Sequence, residues 1–327
     1  MGKPEIKSID SLMKYLRDTH HIAIKGSVQK RKLRNIGYYH GFKGYRYITN
    51  PANKVAYNDF NQLIAVNEFD MRLKALFYPQ LMFIETALKN YVLEIVLREG
   101  RNKDFNYIYS CLLIDYKKYR VGCDDYKKAI RKRLELRNTI YNVLTENYNR
   151  RRLVQHFYHK DLSVPIWAIF EMLTLGYFGD FVHCLELNCR KQLSIELGIN
   201  QGCDSNARLP EIIIYVIREL RNAVAHNDVI FDARFRTFQI GNPLLNCLTY
   251  DTKVTNIDFN TIVDYVVLIV YLLKNLNVSR TDIKKIISEF ENITETLRKK
   301  ISISIFSQII PTDTRNKLSL LRDFVRK

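Results

Sequence analysis

The sequence predicts an all-α protein, and three observations support this prediction. Apolar residues recur at helical spacing along most of the 327-residue chain, and only seven prolines and twelve glycines interrupt it. The one plausible extended stretch is FRTFQI, within 229–249. An apolar fraction of 47% is ample for a core. The length suits one large domain or a domain with appendages.

Local signals predict the helices in chain order. Ser8 or Asp10 can cap a short helix over 8–19, whereas the glycines within 25–50 predict a loop-rich segment with short helical pieces. The other predicted helices cover 60–98 with an interruption or kink near Pro79, 123–150, 164–187 from Pro165, 188–197, 210–226, 257–275, and 279–327 with a break at Pro311. These predictions divide the chain into an N-terminal basic and aromatic segment (1–58), a helical domain (59–278) and a C-terminal helical tail (279–327).

The formal net charge of +17 predicts a polyanionic partner. Residues 1–50 carry eleven Lys and Arg against three acids, and residues 101–160 carry fifteen against six. RNA, DNA and an anionic membrane surface all suit such a charge. We favour a nucleic acid, and we expect the first half of the chain to provide most of the surface that binds it.

The cysteines and the N-terminus predict a cytoplasmic protein with free thiols. The start MGKPEIKS has no apolar signal core. The longest apolar run, 266–273, is too short to cross a bilayer, so no membrane partner is expected. The cysteines form no CxxC pair and have no metal-ligand spacing, and we expect neither a metal nor a cofactor. They are Cys111, Cys123, Cys184, Cys189, Cys203 and Cys247.

The segment 209–228, LPEIIIYVIRELRNAVAHND, carries the candidate chemistry. Pro210 suits a first helical turn. At 100° per residue, Arg218, Arg221 and Asn222 fall largely opposite an apolar stripe. These three side chains are therefore either solvated or assembled into a site. The stripe consists of Ile212, Val216, Leu220 and Val224.

Arg221 and His226 are side chains that can together cleave RNA without a metal. Histidine can move the proton of a ribose 2′-hydroxyl or of a leaving 5′-oxygen, and a guanidinium stabilises phosphate charge, while Asn222 can orient either group. On a straight helix the two side chains leave about 140° apart. Either the helix loosens after Ala225, or a second copy supplies facing residues. The alternative is that Arg218 and Arg221 are solvated or ion-paired, for instance with Glu219 or Glu211. His226 and Asn227 would then merely end the helix and begin a turn.

Basic surfaces elsewhere are candidates for RNA contact. Residues 25–47 interleave basic with aromatic side chains, which suits phosphates and unpaired bases, although the tyrosines can instead pack this segment on the helical domain. A second basic face lies within 123–150, where plain solvation is the alternative. The predicted RNA-binding residues are Lys30, Arg31, Lys32, Arg34, Lys127, Lys128, Arg131, Lys132 and Arg218.

Two further residues have predicted environments. Glu85 lies in an apolar helical segment, and a buried carboxylate needs a partner. We expect Glu85 to brace Arg218 or Arg221. Trp167 and the aromatic residues around it are predicted to belong to the core.

Four elements resemble those of the abortive-infection (Abi) family, in the family's order over about 12–235. RNAVAHND (221–228) resembles the Arg-Asn-x-x-x-His motif of HEPN ribonucleases; many Abi members have a second histidine where this chain has Asn227. IGYYHGFKGYRY, at 36–47, resembles a tyrosine-rich element. NEFDMRLKALFYPQLMFIETALKNYV, at 67–92, resembles a Phe-Asp-x-x-Leu helix followed by an Ile-Glu pair. VPIWAIFEMLTLGYFGDF, at 164–181, resembles a "P-x-W … FG" helix.

The resemblance implies a HEPN-type helical bundle that dimerises through its motif-bearing helix and acts against phage. Arg221, Asn222 and His226 match the catalytic set of a metal-independent endoribonuclease that leaves 2′,3′-cyclic phosphate ends. Some members are paired with a small structured RNA, so a non-catalytic RNA-binding protein held with a cognate noncoding RNA is the alternative. A basic adaptor that binds a phage protein or DNA is a third hypothesis.

Overall fold

The computed structural model describes residues 8–327 and confirms the all-α prediction. These residues form fifteen α-helices and no strand, apart from three isolated β-bridges. The start MGKPEIKS, on which the cytoplasmic prediction rests, lies outside the described residues except for Ser8. The helices are α1 (Ile9–His20), α2 (Gly26–Tyr38), α3 (Phe60–Gly100), α4 (Phe105–Cys111), α5 (Asp124–Tyr148), α6 (Arg152–Tyr158), α7 (Ile166–Met172), α8 (Leu175–Cys184), α9 (Leu187–Glu196), α10 (Leu209–Ala225), α11 (Asn242–Thr252), α12 (Ile262–Asn275), α13 (Arg280–Arg298), α14 (Ile303–Ile309) and α15 (Thr314–Arg326).

The N-terminal segment is more helical than predicted. Ser8 caps α1 through its hydroxyl. The prediction of a loop-rich 25–50 was wrong, because α2 spans 13 residues and a π-helical turn follows over Tyr39–Lys43. Gly26 and Gly37 have φ values of 74° and 72° and mark the start of α2 and a break near its end. Glycine here adjusts the ends of a helix instead of preventing one.

The longest helix, α3, connects most of the other elements. Its 41 residues begin after Asp59, which forms a capping box with Gln62. Pro79 does not interrupt the helix. Its ring faces solvent, so water can satisfy the carbonyl that lacks an N–H partner there. Helix α3 packs against α9, α10, α12 and α13.

The segment predicted as one helix over 164–187 forms two. Helix α7 ends at Met172, and α8 begins at Leu175. Between them Thr174 adopts extended geometry, and its hydroxyl accepts a hydrogen bond from Tyr177 N–H at 3.3 Å. A threonine cap therefore starts a second helix where apolar periodicity alone suggested continuity.

Two other local predictions were wrong. Trp167 is 39% exposed, because its neighbours on α7 take the buried face. The stretch FRTFQI is irregular and forms no strand. There the Thr237 N–H and hydroxyl both donate to Glu219, at 2.7 and 2.6 Å. A side-chain carboxylate thus satisfies the backbone that a neighbouring strand would otherwise satisfy.

The C-terminal tail packs on the rest of the chain. Helix α12 is buried throughout Ile262–Leu273, and α13 and α15 pack on it, while α13 also packs on α3. Lys317 of α15 reaches a carboxylate oxygen of Asp264 in α12 at 2.8 Å. The predicted break at Pro311 separates α14 from α15. In residues 8–327 no helix combines the length and the apolar character needed to traverse a bilayer.

Candidate functional site

Helix α10 packs through its apolar side and leaves its polar motif at the surface. Pro210 lies in the first turn. Arg218 and Arg221 are partly exposed, and Asn222 is exposed. The buried residues on the opposite side anchor the helix. They include Ile213, Ile214, Val216, Ile217, Leu220 and Val224.

Arg221 is held against α3 by an ion pair. Its Nε donates to Glu85 Oε2 at 3.1 Å, and the other oxygen of Glu85 accepts from Lys89 Nζ at 3.0 Å. Lys89 also donates to the Leu173 carbonyl at 2.8 Å, so the acid is fixed in turn. The Arg221 Nη1 atom makes only a long contact of 3.4 Å with Asn222. The outer edge of the guanidinium therefore stays available to a ligand while its inner edge is fixed.

Arg218 takes a different partner from Arg221. Its Nη2 lies 2.7 Å from a carboxylate oxygen of Glu219, and its guanidinium lies over the Tyr215 ring at 5.1 Å. Of the two arginines that could pair with Glu85, the structure places Arg221 beside it. The partners of Arg218, by contrast, both lie on α10 itself.

His226 is the exposed C-terminal cap of α10. Its N–H donates to the Asn222 carbonyl at 2.9 Å, so the helix does not loosen after Ala225. The guanidinium of Arg221 and the imidazole therefore leave the helix about 140° apart. One copy of the chain directs the two groups to different sides.

The turn after His226 is a Schellman motif. Asn227 has φ 58° and occupies the left-handed position, and the Asp228 N–H donates to the Ala223 carbonyl at 2.8 Å. Lys74 of α3 donates to Asn227 Oδ1 at 2.8 Å. Asn227, where the sequence departs from the motif that it resembles, thus has a structural partner.

Lys74 forms part of a buried cluster that sequence reasoning missed. Its Nζ lies 2.7 Å from Asp70 Oδ2, and Asp70 Oδ1 accepts hydrogen bonds from the N–H groups of Ile230 and Phe231, each at 2.8 Å. Burial raises the pKa of Asp70, although Lys74 and the two amides oppose this. The available signal was an acid and a lysine four residues apart beside the apolar residues Phe69, Leu73 and Phe77 of α3.

The tyrosine-rich segment 36–47 lies against the same turn. Tyr45 is fully buried, and its hydroxyl donates to Asp70 at 3.1 Å. A Cβ atom on Gly44 would lie 2.9 Å from Val229 Cγ2, which shows how closely the two segments approach. Tyr39 remains 50% exposed. Packing therefore explains Tyr45, whereas the ring of Tyr39 stays at the surface.

The predicted basic residues of the N-terminal segment lie on α2. Arg31, Lys32 and Arg34 are exposed and make no ion pair within residues 8–327. Lys30 lies 2.6 Å from a carboxylate oxygen of Asp10. Among the described residues, helix α2 thus presents three cations without an acidic partner to solvent, and Asp10 partly neutralises Lys30.

The basic residues of α5 are more strongly compensated. Lys127, Lys128 and Arg131 are exposed, and each lies within 4.0 Å of an acid three or four residues away on α5. Lys132 instead joins α5 to α8 by donating to Asp180 at 2.7 Å. These contacts fit a solvated helix face better than they fit a dense cationic patch.

A second polar cluster, unforeseen from the sequence, fixes the start of α10. Asp115 accepts from Arg190 and from Arg208, each at 2.6 Å, and Arg208 also donates to Glu211 at 2.8 Å. His183 Nδ1 lies 2.7 Å from Glu211. Burial opposes ionisation of Glu211, but His183 and Arg208 outweigh it and lower its pKa. The cluster anchors the end of α10 that lies away from the motif.

The fold and this site define an all-helical, basic protein. Its longest helix, α3, packs against α10, and an Arg-x₄-His segment lies at the end of α10. The family described as Abi-like protein matches residues 31–232, so this chain belongs to that family. Membership associates the chain with abortive-infection defence. The match runs from α2 to the turn after α10 and stops before α11. No curated protein and no solved structure matched the chain.

Proposed function

We propose that this protein is a homodimeric, metal-independent endoribonuclease of the HEPN type that acts in abortive infection. The observation that carries the proposal is the arrangement at the end of α10. Arg221 is fixed on one side by Glu85, and the exposed imidazole of His226 follows on the last turn. A held cation and a free proton-transfer group, combined with the facing groups of a second copy, are the minimum that phosphodiester transesterification needs.

The reaction follows from these two groups. A neutral histidine removes the ribose 2′-hydroxyl proton as the 2′-oxygen attacks phosphorus. Arg221 stabilises the added negative charge on the phosphate oxygens. The bond from phosphorus to the 5′-oxygen breaks, and the imidazolium formed by the first proton transfer gives the leaving oxygen its proton. The products carry a 2′,3′-cyclic phosphate and a 5′-hydroxyl.

A second copy of the chain supplies the facing groups. In one copy Arg221 and His226 leave α10 about 140° apart, so two copies related by a two-fold axis are needed to surround one linkage. Exposed apolar residues of α3, seven and fourteen positions before Glu85, share a helix face with it and offer a surface for this contact. Met71 and Tyr78 lie on that face and are 45% and 50% exposed.

A chelator-resistant cleavage assay tests the nuclease. With excess EDTA, the wild-type protein should release products with 2′,3′-cyclic phosphate ends. Arg221→Ala and His226→Ala should each lower the rate by about 100-fold or more. His156→Ala, a change at an exposed histidine of α6, should cleave as the wild type does. Cleavage that persists unchanged in both motif variants would falsify the site.

Mixed dimers test whether two copies share one site. The Arg221→Ala homodimer lacks the guanidinium in both copies, and the His226→Ala homodimer lacks the imidazole in both copies. A mixed dimer, purified through two different tags, has one cleft that combines an intact arginine from one copy with an intact histidine from the other. Activity above that of either homodimer supports the shared site. A mixed dimer as inactive as both homodimers contradicts it.

A non-catalytic RNA-binding role is the second candidate, and the free cations of α2 favour it. Arg31, Lys32 and Arg34 suit phosphate contact with a structured noncoding RNA whether or not cleavage follows. Under this alternative RNA copurifies with the protein and no cleavage occurs. Arg221→Ala then weakens binding alone.

A further inference from the structure

The imidazole of His226 is positioned by its backbone alone. Within residues 8–327 the side chain is exposed and makes no hydrogen bond or ion pair. The peptide that follows it enters the left-handed turn at Asn227. Whatever fixes Asn227 therefore also fixes the direction in which the imidazole leaves the helix.

Two residues one turn apart on α3 clamp that turn at both ends. Lys74 holds the Asn227 side chain at 2.8 Å, and Asp70 holds the backbone N–H groups of Ile230 and Phe231. The side chains of Lys74 and Asp70 are only 6% and 0% exposed, and they pair with each other at 2.7 Å. Because this pair is buried and its polar atoms are hydrogen-bonded, it has one arrangement, and its contacts hold the turn in one position.

We infer that Lys74, acting through Asn227, is a positioning residue that sets the orientation of the His226 imidazole. This assignment rests on the proposed function, in which His226 transfers protons. The arginine has a separate support on the same helix, because Glu85 and Lys89 hold Arg221. Helix α3 thus carries two acid–lysine pairs, each four residues apart, and each positions one of the two motif residues.

Asn227→Gly is the sharpest variant for a test. Glycine adopts φ 58° without strain, so the turn can form, but the amide that Lys74 holds is gone. Asn227→Asp keeps an acceptor for Lys74 and should therefore keep more of the wild-type cleavage than Asn227→Gly does. Asn277→Gly is the matched control, because Asn277 is also exposed, has φ 59° and follows a helix end, that of α12. Lys74→Met removes the donor instead, and it provides a second route to the same loss.

Two measurements separate this inference from the nuclease proposal. The first is the imidazole resonance of His226 in histidine-labelled protein, assigned by its loss in His226→Gln. The second is RNA cleavage, resolved into kcat and KM. Asn227→Gly should move the resonance and lower kcat by about 10- to 100-fold with little change in KM, because a small misplacement of a catalytic group is costly. Neither the His226 resonance nor kcat should change in Asn277→Gly.

The outcomes are distinguishable. A native His226 resonance in folded Asn227→Gly and folded Lys74→Met overturns the positioning role, whatever the cleavage assay shows. If the wild-type protein cleaves no RNA, the nuclease proposal fails, but the resonance still decides whether Lys74 orients His226. A shift in Lys74→Met that Lys89→Met does not reproduce assigns the effect to the turn and not to α3 in general.

Discussion

The Nε atom of Arg221 lies 3.1 Å from a carboxylate oxygen of Glu85, and this contact joins the last turns of α10 to the middle of α3. The two residues are 136 positions apart in the chain. The Glu85 side chain is 12% exposed and that of Arg221 is 31% exposed. The guanidinium is therefore oriented from within the fold while its outer edge faces outward.

Glu85→Gln should release Arg221 and lower kcat/KM for RNA by about 10- to 100-fold, since a hydrogen bond to a charged group contributes about 1.5–3 kcal/mol. Steady-state cleavage kinetics measure the change. Glu94→Gln is the matched control on the same helix, because Glu94 is 74% exposed and its arginine partner is 4.0 Å away. Equal losses in the two variants would contradict a specific role for Glu85.

The sequence predicted those parts of the fold that depend on local patterns. The ends of α5 and α10 agree with the predicted helices to within about two residues, because caps and apolar periodicity are local. Of the two predicted caps of α1, Ser8 and Asp10, Ser8 is the one that the structure shows. The Thr174 cap was local too, but continuous apolar spacing across it hid the end of α7.

The contacts that build the site were not local. Lys74 and Asn227 are 153 residues apart, so no pattern in either segment reports their contact. The choice of Glu85 between Arg218 and Arg221 depends on how α10 is rotated against α3, which spacing along α10 alone does not determine. The exposure of Trp167 likewise depends on which side of α7 the rest of the protein covers.

Gly44→Ala should destabilise the protein by about 1–3 kcal/mol, because a Cβ there meets Val229 Cγ2 at 2.9 Å and the Tyr39 carbonyl oxygen at 3.2 Å in a tightly packed place. Chemical denaturation measures the free energy of unfolding. Gly241→Ala is the control, since its nearest new contact is Pro243 at 3.5 Å, an ordinary van der Waals distance. A stability of Gly44→Ala equal to that of Gly241→Ala would show that the tyrosine-rich segment is not pressed against the turn.

Lys317→Met should cost about 3–5 kcal/mol, since it leaves a buried carboxylate without its partner. Lys317 Nζ lies 2.8 Å from Asp264 and donates to the Asn256 carbonyl at 2.7 Å. Lys285→Met removes an exposed pair with Asp282 and should cost about 0–1 kcal/mol. Thermal unfolding of both variants decides whether the tail is integral to the fold. A small effect at Lys317 would mark the tail as a loosely attached unit.

A fall in pH should lower the free energy of unfolding through protonation of His40. Burial lowers the pKa of His40, as does Lys74, while Asp70 and Asp228 oppose the shift. Its Nδ1 atom is buried with no hydrogen-bond partner in residues 8–327. As the pH falls, His40 therefore binds a proton at a higher pH in the unfolded chain than in the folded protein. The stability that neutral His40 contributes is complete above the unfolded pKa of about 6.5 and is lost as the pH falls below it.

Denaturant midpoints between pH 7.5 and pH 5.5 measure this effect. His40→Gln should show a smaller loss of stability over that interval than the wild type does, because glutamine does not titrate. His156→Gln changes an exposed histidine on α6 and should keep the wild-type dependence. A His40→Gln protein with the full wild-type loss would assign the pH dependence to other groups.

The α2 cations should set the salt dependence of RNA binding. Arg31, Lys32 and Arg34 have no acidic partner within residues 8–327, so their counterions are free to be released when phosphate binds. Replacing all three with alanine should reduce the slope of log affinity against log salt by about 2, since each single-strand phosphate contact contributes about 0.7. Titrations with one RNA at several salt concentrations give the slope. The control triple changes net charge equally on exposed lysines outside the family match: Lys284, Lys285 and Lys299. If both triples lower the slope alike, RNA responds to overall charge, and α2 is not the binding surface.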